Sequence, residues 1–157
     1  MLKKLKWGFL ILLSVGIILL TYVVTLLNYA ETEVNALAFY RASVESLPEV
    51  ATVEHIHRFN GIESYIVAHV VLENGDDAYY FIYENIVQHF FFLSGLITEA
   101  EAHDIALNEV LDGEITQTQV GILNETPIFE IQIREDDQIY YIIINAQDGQ
   151  IKLSFQI

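Results

Sequence analysis

The sequence predicts an α+β protein: an N-terminal transmembrane helix followed by two related units, each a helix packed on a small antiparallel sheet. Residues 7–27 form an apolar run of 21 positions without a charge. Downstream, a stretch with the 3.6-residue period of a helix precedes stretches with the two-residue period of strands, and this order occurs twice. The chain therefore divides into residues 1–6, 7–27, 28–95 and 96–157.

The apolar run is long enough to cross a membrane, because ~20 helical residues span the ~30 Å hydrocarbon core. Lysines at positions 3, 4 and 6 precede it, and the positive-inside rule then places residues 1–6 in the cytoplasm. The exit Leu27-Asn28-Tyr29-Ala30-Glu31 lacks the small-x-small pattern of a cleaved signal peptide. We expect a single-pass cell-membrane protein with an extracytoplasmic C-terminal domain. The alternative is a buried core helix.

The charge distribution restricts the partners. Residues 28–157 hold all 22 acidic residues against three arginines and one lysine, a net charge of about −18. Such a surface repels phosphate backbones, so we expect no nucleic acid partner. It favours a basic partner or cations, or serves only solubility.

Catalytic motifs are missing from the sequence. The absence of cysteine excludes thiol catalysis and cysteine-ligated metals. No nucleophile elbow, zinc-protease motif, P-loop or dinucleotide fingerprint occurs. We therefore predict that the protein is not an enzyme, with no catalytic residue and no cofactor.

The first unit is predicted to begin with a helix over residues 30–47. No Gly or Pro interrupts residues 17–47, apolar positions recur at helical spacing, and Pro48 stops the helix. Strands are predicted at 50–59, 65–72, 78–83 and 88–93. Asn60-Gly61 is a strong hairpin signal between the first two strands.

The second unit is predicted to begin with a capped helix, because Thr98 and Glu101 have the spacing of a capping box. Strands follow at 115–123, around 129–133, at 139–145 and at 151–157. Alternation with polar residues predicts a sheet with one buried face. The predicted core of this unit comprises Ile105, Ala106, Phe129, Ile131, Ile133 and Ile142.

Three histidines are candidate metal ligands. His55 and His57 lie two apart on a predicted strand, so their side chains share a face. His69, on the neighbouring strand, could add a third ligand. The alternative is a polar outer face opposite the inward residues Val53 and Ile56, and we predict no metal. His103 is expected on the wet side of its helix.

Aromatic residues concentrate in the third and fourth strands, at 79–83 and 90–92. They serve either to fill a thin core or as a binding surface. Because consecutive strand residues alternate sides, the interface candidates are Tyr80 with Phe91, or their neighbours Tyr79 with Phe90.

Two segments resemble the PepSY domain family. Residues 97–107, Ile-Thr-Glu-Ala-Glu-Ala-His-Asp-Ile-Ala-Leu, resemble the capped opening helix of that domain. Residues 143–151 resemble its closing strand and Asp-Gly turn, with Asn145 where Asp is usual. The first unit has Glu84-Asn85-Ile86-Val87-Gln88 in place of that close. PepSY domains have no catalytic residues to carry over.

The whole layout resembles the TseB-like (YpmB-like) family of Gram-positive bacteria, which has a lysine-rich start, one membrane helix and tandem PepSY-like units. The resemblance implies a regulator of cell wall elongation that associates with a membrane-bound wall-synthesis enzyme such as a penicillin-binding protein. Two alternatives remain open. One is an inhibitory or chaperone-like module acting on an extracellular peptidase. The other is a metal or envelope-stress sensor that uses His55 and His57.

Overall fold

The computed structural model describes residues 2–157, with side chains from Leu13 onward. The chain forms two compact units, Met1–Phe39 and Tyr40–Ile157. The elements are α1 (Leu2–Glu45), β1 (Val50–Asn60), β2 (Ser64–Leu72), β3 (Asp77–Tyr83), β4 (Ile86–Phe92), α2 (Glu99–Glu109), β5 (Glu114–Leu123), β6 (Thr126–Glu135), β7 (Gln138–Asn145) and β8 (Ile151–Gln156), with a 3₁₀ turn at Leu93–Gly95.

Helix α1 is continuous over 44 residues, as expected for a stretch without proline. It ends at Glu45, three residues before Pro48. Among the residues with described side chains, Leu13–Glu45 is the one segment long and apolar enough to cross a bilayer. Its length and composition fit a membrane anchor or a signal sequence.

The strands form two antiparallel four-stranded sheets, ordered β1-β2-β3-β4 and β5-β6-β7-β8. Two-residue loops join β3 to β4 and β5 to β6. Glu84 and Asn85 have φ of 48° and 64°, and Asn124 and Glu125 have φ of 49° and 63°. Left-handed conformation at both loop residues is the geometry of a tight hairpin turn. Glu84-Asn85 therefore closes the β3–β4 hairpin without a glycine.

Helix α2 packs on the second sheet. Its capping box is confirmed, since Thr98 accepts from the Glu101 amide and the Glu101 side chain accepts from the Thr98 amide. Ala102 and Ala106 have no exposed surface, so the helix lies close to the sheet. The predicted core is confirmed for the buried residues Ala106, Phe129, Ile131, Ile133 and Ile142. Ile105 is partly buried against the same core.

Within the described residues 2–157 the first sheet has no separate helix, so the prediction of two helix-on-sheet units is wrong for this sheet. The predicted helix 30–47 is the end of α1, and within it only Tyr40–Glu45 belongs to the unit that holds the sheets. The second sheet covers one face of the first instead. Phe59 of β1 and Phe81 of β3 are buried in one core with α2 and the second sheet. The two sheets therefore share a core. Other buried residues, such as Val44, Val70 and Tyr80, lie outside this core.

Candidate functional site

The three candidate histidines line one cleft of about 300 Å³ between the sheets, together with Tyr79 and Glu99. His55 stands opposite His69 in the β1–β2 pairing. The ring centroids of His55 and His57 are 5.5 Å apart. The side chains of His55 and His57 therefore lie on the same face of β1, as predicted.

Hydrogen bonds to the protein engage these rings. His57 Nε2 donates to the Val120 carbonyl oxygen at 2.9 Å, which joins β1 to β5. His69 Nε2 donates to Asp77 Oδ1 at 2.9 Å. Burial lowers the pKa of His57, and the neighbouring His55 lowers it further. The hydrogen bond to Val120 raises this pKa, but burial is the larger effect. His57 is therefore a neutral, structural imidazole at neutral pH.

The cleft does not have the arrangement of a metal site. Among residues 13–157, no three His, Cys, Asp or Glu side chains come together in a way that could hold a metal ion. A structural zinc site needs four ligands at about 2.0–2.3 Å. His103, expected on the wet side of α2, is partly buried and lies 2.7 Å from Thr118 Oγ1. The reason is that β5 lies against α2 at this point.

The aromatic candidates divide between the two faces of the first sheet. Tyr80 pairs with Phe90, and Tyr79 pairs with Phe91. Tyr79 and Phe91 are partly buried against the shared core. Tyr80 is buried, whereas Phe90 is exposed. Tyr80 and Phe90 therefore lie on the face turned away from the second sheet.

The sequence paired Tyr80 with Phe91, and a bulge explains the difference. The β3–β4 register shifts between Phe81 and Ile82, which leaves Gln88 without a partner on β3. One extra residue in a strand exchanges the faces of everything beyond it. The periodicity of the sequence carries no signal for this bulge.

An apolar groove of about 650 Å³ lies on this outer face. Tyr80 and Ile82 of β3 line it together with Phe90 and Phe92 of β4. Val44 of α1 and the following Leu47 line it as well. The groove was not among the sites predicted from the sequence. A usable signal was the presence of apolar residues on both faces of β4, at Ile86, Val87, Phe90, Phe91 and Phe92.

Acidic and neutral groups surround the groove. Glu49 lines it, and burial together with the nearby Glu49 carboxylate raises the pKa of Tyr80. Arg41 donates to the Val53 carbonyl oxygen and lies 3.5 Å from Glu45. No Lys or Arg is among the residues that line the groove in the described part of the chain.

Two antiparallel four-stranded sheets that share a core, with one capped helix on the second sheet, define the fold class. The structure is similar to the YpmB protein from Bacillus subtilis, with a TM-score of 0.65 and 17% identity over 78% of this chain and 96% of that one. This likeness shows a YpmB-like fold.

A candidate lipoprotein from Clostridium difficile is more distant, with a TM-score of 0.40 and 14% identity over 65% of this chain and 80% of that one. No family model matches the sequence, and no curated protein matches it either.

Proposed function

We propose that this chain is a membrane-anchored, extracytoplasmic binding and regulatory protein without catalytic activity of its own. One observation carries the proposal. A helix with the length and composition of a membrane span continues to Glu45, and the domain that begins at Tyr40 exposes an apolar, aromatic groove. An exposed apolar concavity of this size is typical of an interaction site.

The anchor orients the folded domain and raises its effective concentration near other membrane proteins. The lysines at positions 3, 4 and 6 favour a cytoplasmic N-terminus, which places the folded domain outside the membrane. A domain confined to the membrane surface meets other membrane proteins at a high effective concentration. A weak interface is then sufficient for regulation.

We further propose that the regulated process is cell wall elongation, through a membrane-bound wall-synthesis enzyme such as a penicillin-binding protein. The YpmB-like fold and the resemblance of the whole layout to the TseB-like family support this proposal. The resemblance of residues 97–107 to the opening helix of PepSY domains supports it as well.

Protease treatment of intact protoplasts tests the topology. Protease should remove the folded domain and leave only an N-terminal fragment within the membrane. A domain that stays protected until the membrane is permeabilised would contradict both the orientation and the proposed function.

Co-purification from detergent-solubilised membranes tests the partner. The tagged full-length chain should capture a penicillin-binding protein or another wall-synthesis enzyme, and a deletion strain without the bait gives the background. Capture of a secreted peptidase alone would favour the inhibitory module instead.

A further inference from the structure

We infer that the groove between the end of α1 and strands β3 and β4 binds an extended, basic and apolar segment of a partner protein, which adds as a strand to the free edge of β4. The inference rests on the proposed function, because it names the surface that would meet the partner. Apolar area, an open strand edge and charge complementarity support it.

The apolar area is concentrated on one strand. Ile86, Phe90 and Phe92 line the groove and are 61%, 56% and 43% exposed. Phe90 also contacts Tyr80 and Phe92, with ring centroids 6.1 and 5.6 Å apart. Single exposed apolar residues are ordinary, whereas a contiguous patch beside a concavity marks an interaction site. Apolar side chains of a partner would fill this groove.

The edge of β4 is open to pairing. β4 is the terminal strand of its sheet, and within residues 2–157 no strand pairs with its outer edge. Such an edge presents unpaired N–H and C=O groups that can accept another strand. In strand addition the backbone supplies affinity and alternate side chains enter pockets. Phe90 and Phe92 lie two apart, so alternate residues of an added strand would lie beside them.

The negative charge of the folded domain indicates which kind of molecule can bind in the groove. The unit Tyr40–Ile157 contains 20 acidic and four basic residues, a net charge of −16. A second copy of the chain would bring the same negative charge, and anionic lipid headgroups would also be repelled. Lysine or arginine residues that flank the apolar side chains of a partner would instead be attracted. The favoured occupant is therefore a basic, apolar segment of another protein.

Peptide binding to the full-length chain tests the inference. The chain is placed in phosphatidylcholine nanodiscs, and a fluorescent eight-residue peptide of alternating valine and lysine is titrated by anisotropy. Binding should weaken with added salt, and a valine–glutamate peptide should not bind. Phe90→Ser and Ile86→Ser should each weaken binding at least tenfold. Ile62→Ser is the matched control, since Ile62 is 81% exposed in the β1–β2 turn, and it should change binding less than twofold.

Several outcomes would overturn the inference. Equal binding of both peptides would remove the charge argument, and unchanged binding by Phe90→Ser would move the site elsewhere. In cells, a photo-crosslinking amino acid in place of Phe90 should attach to an apolar, basic segment of another membrane protein. A crosslinked dimer or a lipid adduct would contradict that occupant. If Phe90→Ser and Ile86→Ser were folded and complemented a deletion strain fully, the groove inference would fail while the proposed function stood.

Discussion

Ile131 belongs to the core that the two sheets share. It has no exposed surface and pairs with Thr118 on β5 and Ile142 on β7. Truncation would leave a cavity that well-packed neighbours cannot fill. We expect Ile131→Ala to lower the free energy of unfolding by about 2–5 kcal/mol, measured by urea unfolding of the full-length chain in micelles.

The control for this change lies on β8. Leu153 is 48% exposed, so Leu153→Ala should cost less than about 1 kcal/mol, as surface substitutions do. A cost for Ile131→Ala below about 0.5 kcal/mol would show that this face of the sheet is not the core.

His57 should make stability depend on pH. Burial lowers its pKa from the ordinary value of 6.5, so the unfolded chain binds the proton more readily than the folded one. Its contribution is complete above pH 6.5 and is lost as the pH falls through the lowered pKa of the folded state. We expect the melting temperature of the wild type to fall on acidification in this range. The corresponding fall in His57→Gln should be smaller.

Glu130 provides a control with the opposite sign. Burial raises its pKa from the ordinary value of 4.5, so the folded chain binds this proton more readily and acidification near that value favours folding. Relative to wild type, Glu130→Gln should remove a stabilisation that appears at low pH.

For His57, identical dependences of the melting temperature on pH in His57→Gln and wild type would show that His57 is not held neutral by the fold.

Among the elements, β5 meets the first sheet through a glycine. A β-carbon on Gly121 would lie 2.4 Å from ring atoms of Phe59, and one on Gly61 would lie 2.8 Å from the same ring. The Phe59 ring therefore occupies the space that a side chain at either glycine would need. Because glycine has no side chain, the two sheets can approach each other at this ring. We expect Gly121→Ala to destabilise the fold by about 1–3 kcal/mol, the usual cost of overpacking.

Gly95 is the matched control for this substitution. A β-carbon at Gly95 would have no atom within 4 Å, and Gly95 does not have a positive φ. Gly95→Ala should leave the melting temperature nearly unchanged. The double variant Gly121→Ala with Phe59→Leu should recover part of the loss, because the smaller side chain vacates the space. An unaltered melting temperature for Gly121→Ala would contradict the sheet-to-sheet contact.

For the whole molecule, function should depend on the anchor and on exposed surface. If residues 1–27 anchor the chain as proposed, release of the domain from them removes the high effective concentration at the membrane. We expect the released form to complement a deletion strain more weakly than the full chain, scored by growth, cell shape and sensitivity to wall antibiotics. Equal complementation at matched abundance would contradict the anchored-regulator proposal.

Single histidine variants extend this test to the cleft and to His103, which contacts the cleft residue Thr118. His55→Ala, His57→Ala and His103→Ala should leave complementation nearly intact, because no three metal-ligating side chains converge among residues 13–157. Loss of complementation by one of these variants, with the protein folded and abundant, would favour a metal or active site over the binding module.

The order of elements could be predicted from the sequence, because periodicity, capping and turn signals act between near neighbours. The eight strands, the capped helix α2 and the unbroken α1 all have such local causes. By contrast, the face of the sheet on which each candidate residue lies could not be predicted from the sequence. A single bulge at Gln88 moved Phe90 onto the groove face.

The sequence by itself determined the apolar N-terminal helix, the antiparallel strands and the acidic charge, since each follows from composition or short-range pattern. Tertiary structure alone decided that the two sheets share one core around Phe59 and Phe81. It also decided that the end of α1 completes a groove with β3 and β4. The physical reason is that packing joins residues far apart in the chain, and the burial of one face against another depends on register and shape as well as on periodicity.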